Sequence, residues 1–183
     1  MGLDISVYKN LKIIDKTKIN FDKDEQDDYL EIYDQDFKKQ LDGSDLIIGE
    51  YYDYDYAKEF RAGSYSGYNY WRNELAKLAG YESDVFVWEN VEDGVFVELI
   101  NFSDCDGIIG SKISKKLYND FCEFDNTASL KDGGFYYIYK EFKEAFKIAS
   151  ENNGCVLFHW LLFNIFNHII CNKEFNPSFT NKK

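Results

Sequence analysis

"FRAGSYSGYNYWRNELAKLAGY" (Phe60–Tyr81) carries the clearest local signal in the chain, and its period sets the fold class. From Ser66 to Ala79 the apolar residues Tyr68, Trp71, Leu75 and Leu78 recur at intervals of three and four. That spacing draws one stripe down an α-helix. Gly80 ends the pattern, as glycine does where a helix needs a left-handed residue past its last turn. Ahead of the stripe, Gly63, Ser64, Ser66 and Gly67 supply a turn and hydroxyls for an N-cap. The loop has a second reading. Backbone N–H groups at a helix N-terminus, with Arg61 and Arg72 beside them, suit a phosphate or a carboxylate. No Walker lysine follows and no dinucleotide fingerprint precedes, so both readings stand.

Working outward, "LDISVYKNLKII" alternates Leu3, Ile5 and Val7 with Asp4, Ser6 and Tyr8, the pattern of a half-buried strand. Short strands are expected at Tyr29–Tyr33 and Leu46–Tyr52, joined through the turn signal "LDGSD". Downstream, "DVFVWENVEDGVFVELINF" reads as a hairpin, two strands rich in Val, Phe and Trp around Glu92-Asp93-Gly94. A second helix follows, with Ser111 as N-cap and Ile113, Leu117, Phe121 and Phe124 on one face. After Asp132-Gly133-Gly134 a third helix spans Phe135 to Glu151. Phe135, Ile138, Phe142, Ala145, Phe146 and Ala149 form its core face. Residues 155–170 fit either a buried strand followed by a helix or one helix, and residues 172–183 read as a loose tail. There is no internal repeat and no linker composition. The expectation is a single α+β domain over residues 1–183, mostly antiparallel sheet with about three packed helices.

The charge is unevenly placed. Of a formal net charge of −12, residues 20–60 hold 14 acidic residues against 4 basic ones, a net of −10. Such a balance argues against direct nucleic-acid binding, which needs lysine and arginine to displace counterions. It suits either a basic partner or plain solubility. In this window carboxylates alternate with tyrosines. As a strand, "YYDYDY" puts Tyr52, Tyr54 and Tyr56 on one face and Tyr51, Asp53 and Asp55 on the other. The chain has 15 Tyr and 16 Phe, more rings than a core alone absorbs, so some face water or a partner. The expected partner-binding residues are Asp27, Asp28, Glu31, Asp34, Glu50, Tyr52, Asp53, Tyr54 and Asp55.

Few residues point to chemistry. Asp104 and Asp106 in "NFSDCDG" have the spacing of a divalent-cation or water-activating pair, but equally of a turn. Cys105 lies between them with no histidine nearby to act as its base. His159 and His168, the only two histidines, sit in the apolar segment "VLFHWLLFNIFNHII" and suit a satisfied core role. That segment is interrupted by Asn164 and Asn167 and is shorter than the ~20 residues that span a bilayer. "MGLDISVYKN" lacks the basic and apolar regions of a signal peptide. Cys105, Cys122, Cys155 and Cys171 show no C-x-x-C spacing and read as reduced thiols, so a cytoplasmic location is expected. No catalytic group, metal or cofactor is expected. The alternative to partner binding is a pocket for a nucleotide or signalling molecule, or a hydrolase site, built from Arg61, Tyr65, Asn69, Arg72, Asp104 and Asp106.

Four stretches, "MGLDISVY", "FRAGSYSGYNYWRNELAKLAGY", "VELINFSDCDGIIGSKISKKLYNDF" and "FKEAFKIASENNGCVLFH", together resemble a family of small proteins encoded by bacteriophages and other mobile elements. The resemblance covers most of the chain outside the acidic window and the last twenty or so residues. Relatives of this kind include proteins that block bacterial defence. Length and acidity look like a type II anti-CRISPR, an inhibitor of Cas9. The resemblance therefore implies a phage-derived inhibitor acting in the host cytoplasm. Its acidic surface would meet the lysines and arginines of the nuclease channel.

Overall fold

The computed structural model describes residues 2–19 and 29–160. These form one α+β unit, an antiparallel five-stranded sheet curled into a half-barrel with helices packed on it. The strands are β1 (Gly2–Ile13), β2 (Leu30–Glu31), β3 (Tyr51–Ser64), β4 (Gly107–Gly110) and β5 (Cys155–Trp160), in the order β2-β3-β1-β5-β4. The helices are α1 (Tyr65–Leu78), α2 (Asp84–Asn90), α3 (Val97–Ile100), α4 (Ser111–Glu123), α5 (Asp125–Ala128) and α6 (Gly133–Glu151). The expected loose tail, residues 161–170 and residues 20–28 of the acidic window lie outside the described residues.

The helical stripes do what their spacing dictates. Tyr68, Trp71, Leu75 and Leu78 of α1 are buried. Ser64 caps that helix by accepting from the Gly67 N–H at 3.1 Å. Phe142 of α6 is the hub of the core, its ring 5.0 Å from Trp71 and 5.1 Å from Phe60. Two buried ring heteroatoms find backbone partners. Trp71 Nε1 donates to the Phe135 carbonyl at 3.2 Å, and the Tyr139 hydroxyl to the Phe121 carbonyl at 2.7 Å. Leu3, Ile5, Val7, Phe60, Val156 and Phe158 supply the sheet side of this core.

Four local expectations fail. The strand expected at Leu46–Tyr52 begins only at Tyr51, residues 46–50 not being strand. Strand β1 is not half-buried over Gly2–Val7, where both its faces are covered. Asp4 and Ser6 are as buried as their apolar neighbours. Their polar atoms are satisfied across the sheet: Arg61 grips Asp4 through two 3.0 Å bonds, and Ser6 Oγ lies 2.8 Å from His159 Nε2. The hairpin expected over residues 84–102 is instead two helices, α2 and α3. The Ser83 hydroxyl accepts from the Phe86 N–H at 3.0 Å and Asp84 sits in the first turn, so helix capping outweighs the strand preference of Val, Phe and Trp. Finally, Gly110 and not Ser111 is the N-cap of α4. A Cβ at Gly110 would stand 2.6 Å from the Ser44 Cβ, so the close approach of the 40–44 segment requires glycine there.

A second, smaller core lies on the other face of the sheet. Leu11, Leu30, Ile32, Leu41, Tyr52, Ile108 and Cys155 form it, so part of the acidic window is a structural cover. Gln35 closes the far edge of the sheet. Its Oε1 accepts from the Ile108 N–H at 2.8 Å, and its Nε2 donates to the Ile108 carbonyl at 3.0 Å.

Candidate partner-binding site

Strand β3 starts with the residues that alternate carboxylate and tyrosine. Its register against β1 sets Tyr56 opposite Tyr8, Asp55 opposite Lys9, Asp53 opposite Lys12 and Tyr52 opposite Ile13. Residues opposite one another in a ladder point to the same side. Tyr54 and Tyr56 therefore share a face with Tyr8, whose ring lies 4.4 Å from that of Tyr54 and 6.3 Å from that of Tyr56. Burial and the neighbouring Tyr54 push the Tyr8 phenol well above its ordinary range, so it stays neutral. Asp53 and Asp55 stand on the opposite side, both exposed.

Between Lys9 and Lys12 the β1–β3 ladder breaks, and this break makes a groove. Asn10 takes a left-handed backbone with φ 56°, and Asn153, in the turn before β5, takes φ 43°. The two loops are tied together: the Asn10 N–H donates to the Asn152 carbonyl at 2.7 Å, and the Leu11 N–H to the Asn153 carbonyl at 3.1 Å. Asn10, Leu11, Lys12, Asp53, Tyr54, Asp55 and Asn153 line a groove of about 400 Å³. One lysine or arginine side chain fits such a volume. Asp55 is positioned by a 2.6 Å bond from Asn10 Nδ2, and Asp53 accepts from the Tyr54 N–H at 3.0 Å. Among the described residues neither carboxylate is in an ion pair, and the same holds for exposed Glu59 further along β3.

The other residues expected to bind a partner are placed differently. Tyr52 is buried at 3% exposure, its hydroxyl accepting from the Ile47 N–H and donating to the Asp45 carbonyl, so it is a core residue and not a contact. Its side of β3 is covered by the 41–47 segment, which the two-residue alternation alone does not reveal. Glu50 is engaged by Lys16 at 3.2 Å and Asp34 by Lys38 at 3.1 Å, so their charge is partly offset on the protein itself. Glu31 is exposed. Asp27 and Asp28 lie outside the described residues. Glu59, Asn10 and Asn153 escaped the sequence reading. Asn153 had a signal, since asparagine followed by glycine in "NNG" favours a left-handed turn, whereas Asn10 in "YKNLK" has no glycine after it.

The two glycine-containing loops do meet, by direct contact between side chains. Asn69 Nδ2 donates to Asp104 at 3.0 Å. Arg72 donates to the Phe102 carbonyl at 2.7 Å and to Asn69 Oδ1 at 2.8 Å, and its Nε lies 3.8 Å from Asp84. These groups hold one another and lock α1 to the loop before β4, although the buried Arg72 Nε makes no hydrogen bond among the described residues. Burial, then Cys105, Asp104 and Asp106, push the Tyr65 phenol up, which places Tyr65 beside the same loop. Asp106 turns inward on its own segment, 3.4 Å from Ser103 Oγ and 3.2 Å from the Cys105 Sγ. Arg61 does not join them. It is committed to Asp4 on the sheet face away from the helices, because each residue of that cross-strand pair points the same way. Burial raises the Cys105 thiol, opposite to the shift an activated nucleophile needs.

Among the described residues no group of three or more His, Cys, Asp or Glu is placed to hold a metal, and no helix is long and apolar enough to cross a membrane. Comparison with protein-family profiles, with curated proteins and with solved structures found no match.

Proposed function

We propose that this protein binds a basic protein surface through Asp53, Asp55 and Glu59 on β3, with Tyr54 and Tyr56 supplying packed contact beside them. The observation that carries this reading is the groove at the β1–β3 break. There two exposed carboxylates, in no ion pair among the described residues, flank a groove of about 400 Å³. A formal charge of −12 extends the attraction beyond the groove and speeds encounter with a positive partner. Binding is enough for function, and no turnover is required.

The resemblance to phage-encoded proteins gives the partner its chemical class. A nuclease that holds nucleic acid does so in a channel lined with lysine and arginine, and an acidic, tyrosine-bearing surface competes for that channel. A Cas9-type nuclease is the first target. The test is to measure nuclease capture and DNA cleavage with the parent protein and with an Asp53→Lys/Asp55→Lys variant across a salt series. The proposal expects capture and inhibition by the parent that weaken as salt rises, because exposed charges are screened over about 8 Å at physiological ionic strength. The variant should bind at least about tenfold more weakly, since charge-pair couplings at interfaces start near 1.5 kcal/mol. Failure of the parent to bind the nuclease, or full potency in the variant, refutes it.

A further inference from the structure

Helix α2 presents apolar side chains to solvent. Val85, Phe86 and Trp88 are 59%, 39% and 58% exposed, while Val87 is buried in the core. A single exposed apolar residue is ordinary on a protein surface, but three on a helix of seven residues make a patch of the kind that meets a partner. Successive helical residues are turned by about 100°, so Val85 and Trp88, three apart, share one flank. The strip continues to Phe37, whose ring meets that of Trp88 edge-on at 6.1 Å and that of Phe102 at 5.2 Å. Phe86 stands on the other flank.

The patch is held in place by bonds at both ends of the helix. Ser83 caps the first turn through the Phe86 N–H. The Asp84 N–H donates to Asn73 Oδ1 at 3.2 Å, which ties α2 to α1, and Asn90 Nδ2 donates to the Phe86 carbonyl at 3.0 Å. Rings fixed in advance lose little freedom when a partner covers them, so they make strong anchors.

The charge around the patch has one sign. Residues 78–111 hold eight carboxylates and no lysine, arginine or histidine. Arg72 approaches Asp84 and Lys116 holds Glu98, whereas exposed Glu82, Glu89, Glu92 and Asp93 are in no ion pair among the described residues. This rim selects the occupant. A second copy of the chain would bring the carboxylates against their own kind, and a nucleic acid would bring phosphates against them. A segment that flanks apolar residues with lysine or arginine matches both the rings and the rim. A strip of side chains one helical turn apart packs against a like strip on another helix. We propose that α2 docks an amphipathic, basic helix of a partner protein. Its apolar face covers Val85, Trp88 and Phe37, and its lysines or arginines face Glu82, Glu89 and Glu92. These side chains lie outside the β3 groove, so the inference does not rest on the reading of that groove.

The test uses the full-length protein and a synthetic peptide of about 14 residues, four helical turns, with leucines at helical spacing on one face and lysines on the other. A twin peptide with serine for each leucine keeps the charge and removes the apolar face. Affinity is one readout. The other is acrylamide quenching of Trp88, taken as the difference between the parent and Trp88→Phe. The proposal expects the free protein to show a readily quenched Trp88 that the leucine peptide shields. It expects the twin, and the Trp88→Ala and Glu89→Lys/Glu92→Lys variants, each to lower affinity at least tenfold, and Asp53→Lys/Asp55→Lys to bind as the parent does. All the replaced side chains are exposed, and circular dichroism checks that each variant keeps the parent fold. Equal binding of the two peptides means charge alone is read and overturns docking on α2, as does unchanged affinity in Trp88→Ala or in Glu89→Lys/Glu92→Lys. A Trp88 already shielded in the free protein, or no binding of the leucine peptide, overturns it too and leaves the β3 groove reading in place. Loss of binding in Asp53→Lys/Asp55→Lys with Trp88→Ala unaffected assigns the peptide to the groove and overturns the α2 site.

Discussion

Replacing Gln35 by methionine tests how the sheet is closed at β4. Gln35 is 8% exposed and Ile108 is fully buried, so water has little access to the backbone groups the glutamine amide serves. Methionine keeps the length and the apolar stem while removing every hydrogen bond. The Phe37 carbonyl, which also receives Gln35 Nε2 at 2.9 Å, retains the Gln40 N–H at 3.2 Å. The orphaned groups are therefore the N–H and the carbonyl of Ile108. Leaving one buried backbone group unpaired costs about 1–3 kcal/mol, which gives a loss of roughly 2–6 kcal/mol for the two. That is a large share of the ~5–15 kcal/mol that holds a domain folded. It corresponds to a fall in Tm of roughly 4–24 °C for a chain of this length. Urea unfolding at constant m-value reads it directly. A second substitution identifies the cause. In Gln35→Glu the carboxylate faces the Ile108 and Phe37 carbonyls, so its folded-state pKa rises above the unfolded value. Once protonated, the introduced carboxyl again donates one bond. The stability of that variant should be greatest at low pH and should fall as pH rises through the raised value. A Gln35→Met protein within about 0.5 kcal/mol of the parent, or a Gln35→Glu protein with no such pH response, refutes the reasoning.

Two further predictions concern groups away from the site. The Tyr68 hydroxyl is fully buried and has no hydrogen-bond partner among the described residues, and burial pushes its phenol far above the ordinary range. Tyr68→Phe should then leave stability unchanged or raise it by up to about 1–3 kcal/mol, measured by urea unfolding, and a loss of more than about 1 kcal/mol contradicts the buried, unpaired assignment. Glu74 bridges Lys77 at 2.8 Å and Lys131 at 3.1 Å, and its hydrogen bonds to Lys77 and then Lys131 hold its carboxyl below the ordinary value of 4.5. A lowered carboxyl contributes stability above its unfolded pKa and loses it as pH falls through the folded value. The difference in unfolding free energy between the parent and Glu74→Gln should therefore be constant at neutral pH and shrink on acidification below 4.5. A difference that stays flat down to about pH 2 denies the bridge a role.

Periodicity is local, and whatever depends on it was legible in the residues. Strand β1, the buried stripe of α1, the long helices α4 and α6 and the antiparallel α+β class all follow from spacings of two or of three and four residues. So does the split of Tyr54 and Tyr56 from Asp53 and Asp55 on β3, which placed half of the candidate site before any coordinates. What spacing does not carry is the identity of the neighbour that covers each face. Tyr52 and Tyr54 have the same position in the pattern, yet the 41–47 segment buries the first, leaving the second at the groove. Asp4 and Ser6 read as the wet side of a strand, and only the central position of β1, with Arg61 and His159 brought in from distant sequence, makes them buried and paired. Residues 84–102 have strand composition, but a single capping serine and the packing of Val87 and Leu99 turn them into helices. The groove itself arises because two left-handed asparagines, Asn10 and Asn153, are joined across the whole length of the described chain. Local pattern fixes which side of an element is apolar; contacts between residues far apart in sequence decide what that side meets, because those contacts form only when the chain has closed on itself.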